Sequence, residues 1–112
     1  MAYTNDAKNA MLNALGALIT HAALYSDNAG TIEVTGGDPA YARQAVTWAA
    51  ASESSKAASN QPEFSVFGTH VRSVGLVSAA TGGTKYIHEN VTNEEFIGQG
   101  LYLLTSIVMR LN

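Results

Sequence analysis

No cysteine occurs in this chain of 112 residues. That excludes a disulfide framework and a thiolate metal site, and it leaves the redox compartment open. Charge is scarce as well: charged residues make up 13% of the sequence, where roughly a quarter is usual. The six cations, Lys8, Arg43, Lys56, Arg72, Lys85 and Arg110, are scattered, and the net charge is −3. Without a basic cluster, nucleic-acid binding by phosphate neutralisation is disfavoured. No apolar run approaches the ~20 residues of a membrane helix. The opening Met1-Ala-Tyr-Thr-Asn-Asp6 lacks the basic and apolar regions of a secretory signal, so none is expected.

What remains is apolar and small. Hydrophobic residues make up 46% of the chain, and Ala, Ser, Thr, Asn and Gly must cover much of its surface. Such a surface suits a protein held in an assembly. A chain of this length is one domain and buries roughly 60–70% of its unfolded surface, with little to spare.

Thr4 or Asn5 can cap a helix, and Asp6 sits where the helix dipole favours an anion. Ala7, Met11, Ala14, Leu15 and Leu18 form a single apolar stripe, while Lys8, Asn9 and Asn13 lie away from it. The helix should stop near Thr20 or His21. The pattern does not decide whether the stripe packs within the chain or on a neighbour. Short strands are then expected at 21–26, 31–35, 42–50, 64–67, 69–78 and 85–88, with a closing strand whose inner face is Leu103, Thr105, Ile107, Met109 and Leu111. The 52–62 stretch reads as a loop or weak edge strand, and Glu89–Glu95 as an acidic loop. Seven or eight short strands after one helix predict a mainly β fold, an antiparallel β-sandwich or jelly roll with one N-terminal α-helix. It should be a single domain over residues 1–112, with the helix at about 5–20 and the sandwich at about 21–112.

The segment Glu33–Trp48 stands out for its turn chemistry. Gly36 and Gly37 can take positive φ, Asp38 can cap its own backbone, and Pro39 fixes the exit angle. Tyr41, Arg43 and Trp48 follow. Gly36, Gly37, Asp38, Pro39, Tyr41, Arg43 and Trp48 are therefore the candidate assembly or surface contacts, with the Gly36–Tyr41 turn as an exposed, rigid anchor and the N-terminal helix as a second contact. Trp48, Tyr41, Tyr25, Tyr86 and Tyr102 also offer aromatic faces that could stack on sugar rings, although packing is the commoner use of such residues.

No catalytic constellation is legible. His21, His70 and His88 lack the spacing and further donor of a metal site. Ser78 has no nucleophile elbow around it. The acidic segment lacks the order of a calcium loop, and Asn90-Val91-Thr92 is a chance match to a glycosylation acceptor. Gly36-Gly37 and Gly82-Gly83 precede no helix that would hold a phosphate. No enzyme activity, cofactor or metal is expected.

Several stretches, taken in order, resemble small virion proteins of tailed bacteriophages, of the tail-fibre or minor-tail type. They are Ala7–Leu12, Thr20–Tyr25, Glu33–Arg43, Val46–Ala49, Ser78–Thr84 and Phe96–Ser106. The resemblance covers nearly the whole chain. It implies a structural component of the virion, displayed on the particle and assembled in the host cytoplasm with other tail or capsid proteins. Similar small β proteins decorate capsids, so a shell-stabilising role is the alternative, and a host-surface carbohydrate-binding module is a second one. The apolar surface a small domain leaves uncovered suggests a homo-oligomer, with a trimer favoured. Neither nucleic acid nor membrane is expected as a partner.

Overall fold

The computed structural model describes residues 1–111 and contains, within them, one helix and six strands. In chain order these are α1 (Asn5–Leu18), β1 (His21–Tyr25), β2 (Gln44–Ala45), β3 (Ser55–Ala57), β4 (Glu63–Val77), β5 (Lys85–Leu103) and β6 (Val108–Arg110). The fold is mainly β, with antiparallel sheets and one N-terminal helix. The larger sheet has the order β2-β1-β4-β5, and β3 pairs with β6 in a second, small sheet. Leu12 of α1 and Met109 of β6 join Phe64, Val66, Val71, Val74 and Leu76 of β4 in one core between the layers. Full burial of each such side chain contributes about 1.5–3 kcal/mol.

Thr4 caps α1 by accepting the Ala7 N–H at 3.1 Å, and Ile19 is already extended. Of its apolar stripe, α1 turns Leu15 inward, where it packs on the core beside Leu12. Leu12 and Gly16 are its buried residues, while Met11 is 38% and Leu18 51% exposed. Polar contacts add to this packing. Asn9 accepts the Ser54 N–H, and Asn13 accepts both the Ala51 N–H and the Lys56 ammonium, at 2.7 Å. Gly16 leaves room for the Lys56 chain, whose Cε would lie 2.4 Å from an added Cβ.

The strand count corrects the expectation of seven or eight short strands. The segments 64–67 and 69–78 are one strand, because Gly68 (φ +56°) forms a bulge and not a turn. The pairing slips there from Phe67↔Gln99 to Thr69↔Phe96. The acidic segment is likewise strand and not loop: Glu89, Glu94 and Glu95 pair with Val74, Val71 and His70. Their side chains are exposed while Val91 packs against the core, so ladder bonding outweighs local polarity. Residues 31–35 give only a bridge between Glu33 and Tyr25, and residues 42–50 only β2 and a bridge from Trp48 to Ala58. Of the expected closing face, Met109 is buried and Ile107 and Leu111 are half-buried, but Leu103 belongs to β5 and Thr105 is exposed.

The hairpin of β4 and β5 sets the proportions of the molecule. Nineteen residues at ~3.3 Å each would run roughly 60 Å if straight. The longest dimension is 49 Å, against 23 and 21 Å across. The ribbon therefore coils, as its three register shifts require. Gly82 and Gly83, both at positive φ, turn the chain between the two strands. No helix among the described residues is long and apolar enough to cross a membrane.

Candidate assembly surface

Residues 33–43 fold back on themselves about Asp38. The Gly36 carbonyl accepts the Tyr41 N–H at 2.9 Å, Gly36 and Gly37 have φ of +88° and +99°, and the Asp38–Pro39 peptide is cis. Residues equidistant from Asp38 consequently meet. Glu33 and Arg43 form a two-pronged ion pair, Nε to Oε2 at 2.9 Å and Nη2 to Oε1 at 3.0 Å. Tyr41 donates its hydroxyl to Glu33 at 2.8 Å and accepts the Leu24 N–H at 2.9 Å. That amide lies where β2 has ended, so the phenol completes the ladder on the open side of β1.

Electrostatics follow from this packing. Burial, with the adjacent Glu33 charge, pushes the Tyr41 phenol far above its ordinary value. Burial also works against an ionised Glu33, but hydrogen bonds from Arg43 and Tyr41 outweigh it and hold the carboxyl below the usual glutamate range. The bond to Glu33 raises Arg43. Arg43 has a second task, since its Nη1 donates to the Ala79 and Gly82 carbonyls at 3.1 and 2.7 Å. The 33–43 fold is thereby pinned to the β4–β5 turn.

The same device recurs. Lys56 donates to Ala49, Arg72 to Ser26 and Lys85 to Gly30, each to a backbone carbonyl within 2.9 Å. Four of the six cations thus serve loop carbonyls, and the exposed Glu63, Glu89, Glu94 and Glu95 leave β5 and its neighbourhood acidic. Such a surface repels phosphate.

The candidate contact residues divide into two groups. Gly36, Asp38, Pro39 and Ala40 are exposed at the tip of the turn, and Gly37 is half-exposed beside Phe67. Gln99 of β5 fixes the tip, accepting the Asp38 N–H at 3.0 Å and donating to the Pro39 carbonyl at 3.1 Å. Tyr41, Arg43 and Trp48 face inward. The Tyr41 ring stacks on Phe64 at 6.2 Å, and the Trp48 indole donates to the Ile19 carbonyl at 3.1 Å. Within the turn expected to be exposed, the tip is exposed but Tyr41 is an internal strut. Of the proposed sugar platform, Tyr25 is buried, Tyr41 and Trp48 pack on the core, Tyr102 meets Phe96 edge-on, and Tyr86 faces out.

The histidines are dispersed: His21 bonds Thr20, His70 lies 3.2 Å from Glu95, and His88 donates to the Asn28 carbonyl. Among the described residues, no three His, Asp or Glu side chains converge on one point. A cleft of about 580 Å³ runs between α1, the sheet and the C-terminal segment, lined chiefly by Leu12, Leu15, Leu76, Ile87, Leu104 and Ile107. It is the seam between the layers.

Signals for part of this arrangement were present in the sequence. Glu33 and Arg43 stand five residues either side of Asp38, the relation expected of facing partners across a turn. The inward use of Tyr41 had no such signal, because it depends on where β2 ends.

A protein-family model described as "Podophage GP4 fiber I protein gp80" matches residues 2–107. No curated protein matches the chain, and no solved structure does.

Proposed function

The chain belongs to the podophage GP4 fiber I protein gp80 family, and from that membership we propose that it is a structural subunit of the tail fibre, displayed on the particle surface. The observation that carries this is the extent of the family match, which takes in the helix, the whole larger sheet, β3 and the turn. The architecture supports it. A bulged two-stranded ribbon makes the molecule long, and inward-bonded cations lock its loops, which suits a spacer more than a catalyst. The subunit is assembled in the host cytoplasm with other tail proteins and works as a homo-oligomer, three copies being the count we favour. The exposed tip Gly36–Ala40 contacts a neighbouring virion protein, since a turn clamped by Gln99 loses little freedom on binding.

Immunogold electron microscopy of particles, with antibody raised against the folded chain, tests the placement. Gold at the tail is the expected result. Gold over the head would make the chain a capsid decoration, and unlabelled particles would remove it from the virion.

A further inference from the structure

The widest of the three register shifts lies midway along β5. Between the pairs Ser73↔Asn90 and Val71↔Glu94, three residues of β5 face Arg72 alone. The excess turns Val91 onto the core and carries Thr92 and Asn93 outward. There the bulge and the segment after β5 bound a cleft of about 530 Å³, lined by Asn90, Asn93, Glu94, Tyr102, Thr105 and Ser106. Small-molecule sites occupy roughly 300–1,000 Å³. The polar side chains here are largely unspent. Asn90 and Asn93 commit only their amide oxygens, to His88 and His70. Their amide nitrogens, and the side chains of Glu94, Thr105 and Ser106, have no hydrogen-bond partner among the described residues. Tyr102, half-buried and braced by Phe96 at 6.5 Å, supplies the ring. The cleft beside Tyr41 differs, because the Glu33 and Arg43 that line it are already bonded to each other.

We propose that this cleft binds a neutral sugar, a hexopyranose unit of a glycan, with Tyr102 against the ring and Asn90, Asn93 and Glu94 taking its hydroxyls. The lining selects that class. The amide N–H groups donate and the Glu94 carboxylate accepts, and a sugar hydroxyl does both. An apolar ligand would strip water from these groups and return no partner. An anionic one would meet Glu94 with no Lys or Arg in the lining to offset it. Tyr102 offers the apolar contact that the C–H face of a pyranose needs. Burial, with the nearby Glu94 charge, raises its phenol above the ordinary value, so the hydroxyl stays a donor at neutral pH. Phe96 holds Tyr102, and the pairing with Val71 holds the Glu94 backbone, before any ligand arrives. The proposal stands on the cleft alone; the tail-fibre placement decides only which glycans the cleft meets.

The test is saturation-transfer NMR on the full chain, with the methyl glycosides of glucose, galactose, mannose and N-acetylglucosamine at millimolar concentration and methyl glucuronide beside them. At least one neutral glycoside should receive transfer, and the glucuronide should receive less than the glucoside. Glu94→Ala, which removes an exposed side chain, should weaken binding by at least about tenfold while its circular dichroism and melting stay unchanged. Tyr86→Ala, which removes the exposed ring near the β4–β5 turn, should leave binding as it is. No transfer from any of these sugars overturns the proposal. Binding that survives in a folded Glu94→Ala variant, or that is lost with Tyr86, overturns the site, and a glucuronide bound as tightly as the glucoside overturns the assigned class. None of these results bears on virion membership, which is read from particles.

Discussion

Tyr41 serves three partners at once, and a single atom separates those roles. Tyr41→Phe keeps the stack on Phe64 but strands the Leu24 N–H and removes one donor from Glu33. A buried amide left without an acceptor costs about 1–3 kcal/mol. Urea unfolding should show that loss with an unchanged slope, and a stability within error of wild type would contradict the assigned role. Glu33 gives a pH dependence of determinate sign. In the unfolded chain it takes up a proton near its ordinary value of 4.5, whereas in the fold Arg43 and Tyr41 hold it ionised to lower pH. The stability it supplies is therefore complete above that value and is lost as pH falls through the lower, folded value. Glu33→Gln should lower stability at neutral pH and flatten the acid limb below its ordinary value of 4.5 relative to wild type. An acid limb as steep as that of wild type would show that other carboxylates govern it.

At the scale of elements, the β4–β5 hairpin is decided by its turn. Gly82 and Gly83 both hold positive φ, where any side chain is strained. They differ in surroundings. A Cβ on Gly82 meets nothing within 4 Å, whereas one on Gly83 lies 2.7 Å from the Ser78 Oγ, which accepts the Thr84 N–H. Gly82→Ala should cost about 1 kcal/mol, and Gly83→Ala more, because Ser78 must move and its bond to Thr84 is lost. Equal melting temperatures for the two variants would contradict this account of the turn. Elements were legible in the sequence where local chemistry decides them: the capped helix, strand β1, and both glycine turns. They were not where the partner decides. Gly68 resembles a terminator until β5 is laid beside it and the pairing absorbs a bulge. Glu89–Glu95 resembles a solvated loop until β4 supplies the ladder, which leaves those carboxylates outside and Val91 inside. The helical stripe was visible too, but its direction was not. It is set by Asn9, Asn13 and the room Gly16 leaves for Lys56, all contacts with a segment some forty residues away.

The whole molecule is a long, thin body, four of whose six cations are spent inward and whose apolar residues are partly spent outward. Met11 and Leu18 on α1 and Ile97, Leu101 and Phe67 on the ribbon are exposed together, at 88% in the case of Ile97. A free monomer gains nothing from such a surface, and a fibre subunit covers it. The assignment to a tail fibre draws on family membership and agrees with this distribution. Quantitative mass spectrometry of purified particles tests it most directly, by counting copies of this chain against the major capsid protein. The account predicts a few to a few dozen copies per particle, a number that three-fold fibres on one tail can hold. Hundreds of copies would make it a head protein, and its absence from particles would contradict the account outright.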